Sequence, residues 1–253
     1  MIQKTKHSLN KKIKYHLKMM YMISAIIPTL NEGKYLANTL RALRNQDIDE
    51  QYEIIVADGK SRDNTGKIAK KYADKVITVR KKGPSAGRNA GAKIAKGDLL
   101  LFLDADTIVI FNCLSEFAKS FRRKKVVAVS CPILPLSPNL RDIMMYWIYT
   151  NFAKISIKSK RAQIAGICCA YKRNAFEKLG GFNERMHTCE DLDLSSRASK
   201  IGKIIFNENT FALTSTRRVE AWGRTKAANR YLRYLLLYWL GNPPDSNDYK
   251  PFR

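Results

Sequence analysis

The sequence predicts an α/β fold: a parallel sheet wound with helices on both faces. Two observations carry that expectation. From Ile23 to about residue 130, short apolar runs alternate with helix-like stretches, the rhythm of parallel strands joined by right-handed crossovers. Within that rhythm Leu99-Leu100-Leu101-Phe102-Leu103 is apolar at every position, which reads as a strand buried on both faces. It ends abruptly in Asp104-Ala105-Asp106, and the carboxyl ends of central strands are where open α/β sheets bind ligands.

Taken in order, the strand-like runs are 24–27, 53–57, 76–79, 99–103 and 126–130. The helix-like stretches between them are 35–44, 64–72, 85–95 and 114–122. Asp63 suits the cap of the second helix, and Pro84-Ser85 suits the opening of the third. Beyond Pro132 the rhythm breaks. Pro132, Pro135 and Pro138 mark a connection, followed by a stretch at 143–152 dense in Met, Trp and Tyr. An apolar segment at 164–170, a Gly180-Gly181-Phe182 turn, a helical stretch opened by Glu190-Asp191 and an aromatic, leucine-rich helix at 231–240 complete the pattern.

Length and composition bound the function. At 253 residues with 45% hydrophobic side chains, the chain can build one large core. A net charge of +24 asks for an anionic partner: nucleic acid, an acidic membrane surface or a phosphate-rich substrate. Five cysteines in no paired spacing fit a reducing compartment better than a disulfide framework or a zinc site. Residues 1–22 read as a basic arm, 23–240 as a single domain with halves at 23–131 and 132–240, and 241–253 as a tail. The arm lacks the features of a secretory signal, and no stretch has the roughly 18–20 apolar residues of a membrane span, so a cytoplasmic location is expected.

Four loops follow predicted strands. They carry Pro28, Leu30 and Glu32 after the first, Asp58 to Thr65 after the second, Gly83 to Asn89 after the third, and Asp104 and Asp106 after the fourth. Each alone suits a turn or a cap. A parallel sheet brings all four to one edge, where a nucleotide would sit and where two hard carboxylates could hold Mg²⁺ or Mn²⁺ against its phosphates.

These residues resemble the family 2 glycosyltransferases, from 23 to about 240. The opening loop matches a Pro-x-x-Asn-Glu element, and Ala86-Gly87-Arg88-Asn89-Ala90-Gly91 matches an Ala-x-Arg-Asn-x-Gly element. The second loop departs from the usual Asp-Asp-Gly-Ser: Ala57 replaces the first aspartate, and one extra residue precedes Ser61. The resemblance implies a GT-A, Rossmann-like nucleotide-binding sheet fused to an acceptor-binding half. It further implies inverting transfer of a sugar from a nucleotide diphosphate donor to an acceptor hydroxyl. Asp58, with Pro28, Leu30 and Glu32, would hold the base and ribose, Arg88 would join the donor site, and Asp106 helped by Asp104 would hold the metal. Two carboxylates are half a shell, so the metal should bind better with the donor than alone.

In the second half, Gly180 to Glu184 and Glu190-Asp191-Leu192-Asp193 resemble the acceptor-side elements, which makes Asp191 the expected general base. A helix's first turn would also favour these acids. Thr216-Arg217-Arg218 resembles the basic loop that closes on the donor, with Arg217 or Arg218 supporting the diphosphate. The Gln-x-x-Arg-Trp signature of processive synthases is absent, which points to single additions. Between Asp142 and Glu177 there is no acid, while lysines and arginines follow Tyr146, Trp147, Tyr149 and Phe152. Tyr231, Tyr234, Tyr238 and Trp239 repeat that mixture beside Arg230 and Arg233. Both segments suit either core packing or seating on an anionic membrane near a lipid-linked glycan acceptor. Two other classes stay open at this stage: a nucleotidyltransferase on a related sheet, and a basic nucleic-acid-binding protein. No nucleic-acid motif is present, and strand-end acids repel phosphate unless a metal intervenes.

Overall fold

The computed structural model describes residues 21–81, 83–186 and 188–241, so most of the basic arm and of the tail lie outside the described residues. The elements in chain order are β1 (Ile23–Thr29), α1 (Leu36–Arg44), β2 (Tyr52–Asp58), α2 (Thr65–Tyr72), β3 (Lys75–Thr78), α3 (Pro84–Ile94), β4 (Leu99–Leu103), β5 (Thr107–Val109), α4 (Cys113–Phe121) and β6 (Val126–Ser130). The second half adds β7 (Ile133–Pro135), α5 (Leu140–Ser156), β8 (Cys168–Lys172), α6 (Arg173–Lys178), α7 (Glu190–Ile201), β9 (Lys203–Phe206), β10 (Ala212–Thr214), α8 (Arg217–Trp222) and α9 (Arg224–Trp239).

The main sheet has seven strands in the order β3-β2-β1-β4-β8-β6-β9. It is not the wholly parallel sheet that the alternation predicts. Strand β8 runs antiparallel between β4 and β6, with Leu103 opposite Cys168 and Ser130 opposite Cys169. The reason is the break after Pro132: β8 is entered from the long α5 excursion rather than from a crossover helix, so nothing fixes its direction to that of its neighbours. A second sheet, β5-β10-β7, was not legible because its strands have three residues each and carry no measurable alternation.

Strand β4 is buried along its whole length, as its unbroken apolar run requires. Leu99, Leu101 and Leu103 face the layer that holds Leu36, Leu40 and Leu43 of α1 and Phe117 and Phe121 of α4. Leu100 and Phe102 face the opposite layer, with Ala92 of α3, Phe176 of α6 and Leu194 of α7. Both faces of the sheet are therefore covered, and the carboxyl edge of β4 is held rigidly between two cores. Helix α3 lies close across β1. A Cβ at Gly87 would come within 2.9 Å of the Pro28 Cβ, and one at Gly91 would collide with Ile26. These glycines are packing requirements that let α3 carry Arg88 down against the strand ends.

All five cysteines are free thiols, four of them buried.

Candidate active site

The four strand-end loops meet at one edge. Thr29 Oγ1 donates to Asp58 Oδ1 at 3.1 Å, joining the ends of β1 and β2. Asn31 N donates to Ser61 Oγ, Glu32 N to Thr65 Oγ1, and Gly33 N to Asp63 Oδ2, so the first two loops are stitched residue by residue. Asp63 also accepts from Thr65 N at 3.0 Å; it covers the start of α2 from one position before the cap itself, which is Asn64. The extra residue in the second loop is absorbed at Lys60, whose φ of +65° lets Ser61 turn back onto Asp58.

Asp58 is buried and mostly engaged. Its Oδ1 accepts from Thr29 and from Ser61 Oγ at 2.5 Å, and its Oδ2 accepts from Ser61 N at 3.1 Å. With two lone pairs per oxygen, that leaves one acceptor position, on Oδ2, for an incoming N–H. Pro28 pairs with Ala57 across the sheet, and Leu30 packs beside Gly59 where the two loops touch.

The two aspartates after β4 meet different arginines. Asp104 Oδ1 accepts from Arg88 Nη2 at 2.8 Å, and Arg88 Nη1 donates at 2.8 Å to Glu190 Oε1. The same guanidinium donates to the Gly166 carbonyl and lies over the Phe182 ring. Arg88 is only 4% exposed. Asp106 Oδ2 lies 2.9 Å from Arg217 Nε, and Arg217 Nη2 donates to Glu32 Oε1 at 2.6 Å while the guanidinium stacks on Tyr35. Arg218 lies over Trp222 and is close enough to Asp106 to favour its ionised form. Arg217 thus bridges Asp106 and Glu32.

Asp191 opens α7 with Glu190, immediately after Cys189, whose φ of +60° is strained for a residue with a side chain. Asp191 Oδ2 accepts from Gly166 N at 2.7 Å and Oδ1 from Leu192 N at 2.9 Å. Gly166 thus uses its N–H to orient Asp191 and its carbonyl to hold Arg88. Neither Gly166 nor Glu190 was assigned a role from sequence. Glu190 stood beside the expected base, and Gly166 sat inside an apolar segment with nothing to mark it.

Burial shapes the titration of this edge. The Glu190 carboxyl is pushed up to about 7, first by burial and then by the neighbouring Asp191 charge, against the pull of Arg88. One guanidinium here faces Asp104 and Glu190 with Asp191 close by, too few positive charges for three carboxylates. Asp106 is raised to about 6 by burial and by Asp104, with Arg217 opposing.

Among the described residues no group of three or more His, Cys, Asp or Glu side chains could hold a metal ion. The donor chemistry still fits: Asp104 and Asp106 supply hard oxygens, and Glu32 Oε2 at the same edge is buried with no hydrogen-bond partner. Asparagine 89 ties this edge to the acceptor half, donating to Phe182 O and Glu184 Oε1 and accepting from Phe182 N.

A seven-stranded sheet with carboxylates after β4 and an acid pair opening α7 is the architecture of the GT-A fold. Residues 24–180 match the sequence family Glycosyl transferase family 2, and the chain belongs to that family. The poly(ribitol-phosphate) beta-N-acetylglucosaminyltransferase TarS of Staphylococcus aureus is 33% identical over 106 residues, covering 39% of this chain and 18% of TarS. The O-antigen chain rhamnosyltransferase WbaN of Salmonella anatum is 28% identical over 193 residues, covering 70% of this chain and 60% of WbaN. The chain therefore spans less than two thirds of the length of these curated relatives. Among solved structures, the mannosyltransferase PcManGT from Pyrobaculum calidifontis in complex with GDP-Man and Mn²⁺ superposes with a TM-score of 0.65 at 19% identity, covering 92% of this chain and 68% of that one. That likeness is one of fold. Family membership speaks for the glycosyltransferase reading over the nucleotidyltransferase and nucleic-acid-binding alternatives.

Proposed function

We propose that this chain is an inverting glycosyltransferase that moves a sugar from a nucleotide diphosphate donor to a hydroxyl of a lipid-linked or membrane-proximal glycan. The observation that carries this reading is the Arg88 bridge. One buried guanidinium joins Asp104 on the donor side to Glu190 on the acceptor side, next to Asp191, and so fixes the two halves of a displacement reaction relative to each other. Relatives named for N-acetylglucosaminyl and rhamnosyl transfer support the class and differ in the sugar.

In this reading the stitched loops after β1 and β2 bind the nucleoside, with the open acceptor position on Asp58 taking an N–H of the base. Asp104 and Asp106 would hold Mg²⁺ or Mn²⁺, which supplies Lewis-acid neutralisation of the departing diphosphate. Arg217 turns from Asp106 and Glu32 toward the diphosphate oxygens, where its paired N–H groups match two acceptors. Asp191 takes the proton of the acceptor hydroxyl as that oxygen attacks the anomeric carbon. The bond to the diphosphate breaks on the opposite face, and the configuration inverts. The backbone N–H of Gly166 keeps the Asp191 carboxylate aimed during the step.

The test is a sequence of two measurements. A thermal-shift panel of UDP and GDP, each with and without Mn²⁺, should show stabilisation by one of them that grows with the metal. Asp191→Asn should then lower sugar transfer about 10²–10⁴-fold while leaving that shift intact. Nucleoside triphosphates consumed with pyrophosphate release, in place of sugar nucleotides consumed with diphosphate release, would return the protein to the nucleotidyltransferase class.

A further inference from the structure

Among the described residues, eleven of the sixteen exposed large apolar side chains lie on α5, on α9 or at Leu240 directly after it. On α5 they include Leu140, Met144, Trp147 and Ile148, spaced to fall on one side of the helix, with Trp147 at 65% exposure. On α9, Leu232, Leu236 and Trp239 form a second stripe. The two helices are neighbours. Arg224 at the start of α9 holds Asp142 at the start of α5, and further along the Phe152 and Trp239 rings lie 6.0 Å apart.

Charge on this pair of helices has one sign at the surface. Helix α9 contains no acid, and the only acid of α5, Asp142, is buried under Arg224. Cations accompany the stripes, among them Arg141, Lys226 and Arg230. A face made of leucine, isoleucine and tryptophan with cations beside it and no exposed acid on either helix matches the boundary of an anionic leaflet, where apolar side chains sink below the headgroups and cations meet them. A packed partner protein would need acids or satisfied polar groups at the rim, and a second copy would set like charges against each other.

We infer that α5 and α9 form the surface by which this chain docks on an anionic bilayer. The plate adjoins the acceptor side of the site, because Cys189 Sγ lies 3.8 Å from the Tyr234 carbonyl of α9, two residues before Asp191. Docking by this face brings the base to the leaflet, so the acceptor hydroxyl belongs to a molecule anchored in that leaflet; this last step rests on the sugar-transfer reading, whereas the docking surface does not.

The test is co-sedimentation of the full chain with vesicles of phosphatidylglycerol and phosphatidylcholine, against vesicles of phosphatidylcholine alone. The chain should bind the anionic vesicles, more weakly as salt rises. The double variant Trp147→Glu, Leu236→Glu should bind at least about tenfold more weakly, with its melting curve and its UDP or GDP shift unchanged. Equal binding by the variant would overturn the assignment of the surface and point to the basic arm. Absence of vesicle binding would overturn the docking itself, as would concentration-dependent self-association that the variant abolishes. If neither nucleotide stabilises the protein while the plate still binds vesicles, the sugar-transfer reading fails and the docking surface stands.

Discussion

Asp104 and Asp106 are two residues apart, yet the guanidinium that each meets comes from a different kind of place. Arg88 reaches Asp104 from α3, which is pressed flat on β1, and its side chain is 4% exposed with two carboxylates and a carbonyl as partners. Arg217 reaches Asp106 at nearly the same distance, 2.9 Å, but from the short α8 beyond the second sheet, with 19% of its side chain exposed. Similar ion-pair lengths therefore conceal different jobs. A guanidinium enclosed by protein acids cannot be withdrawn without stranding charge, while one at a solvent-facing edge can exchange a carboxylate for a phosphate. The first holds the edge together; under the proposed function, the second is the one a donor would draw away.

The sharpest way to break that comparison is Arg88→Ala. It leaves Glu190 buried without its cation, and unfolding measurements should show a loss of about 3–5 kcal/mol together with loss of activity. Arg217→Ala should behave in the opposite way. Stability should fall by about 2 kcal/mol or less, while the donor KM rises by an order of magnitude or so and the melting curve stays cooperative. Comparable destabilisation by the two variants would erase the distinction.

Glu190→Gln tests the enclosed side through pH. The folded protein holds the Glu190 proton more tightly than the unfolded chain does, with the group raised from 4.5 to about 7. Its stabilising contribution is therefore complete below about pH 4.5 and is lost as the pH rises through about 7. Thermal melts of the parent chain should show that decline across this window, and the Gln variant should flatten it. The smallest effect belongs to Tyr35→Ala, which removes the ring 4.7 Å from Arg217. Losing one partly exposed cation–π contact is worth about 0.5–1 kcal/mol, so the donor KM should rise a few-fold at unchanged kcat.

The same contrast explains what was readable beforehand. Asp104 and Asp106 directly follow the unbroken apolar run of β4, Asp58 ends β2, and Arg88 lies in the first turns of the helix after β3, so locating the strands located the residues. The direction of β8, the second sheet and the part played by Gly166 depend on where the chain returns after α5, and a segment such as Ile164 to Ala170 carries no local mark of that destination. That Arg217 lands on Asp106 and Glu32 depends on the position of α8, which a pair of adjacent, chemically identical arginines does not reveal. The aromatic helices left both a packed and an exposed reading open because α5 is apolar all round, and several of its largest side chains point outward.

Strand β8 has a mechanical consequence. Because it runs against its neighbours, it enters the sheet at the catalytic edge, directly after Gly166, and it is bonded to β4 on one side and β6 on the other. The donor and acceptor halves consequently share one continuous hydrogen-bonded sheet. They have no hinge between them, and prising them apart would strip a ladder of main-chain hydrogen bonds from the centre of the molecule. The segment that follows β10 brings Arg217 onto Asp106 and Glu32 at the edge of that fixed platform.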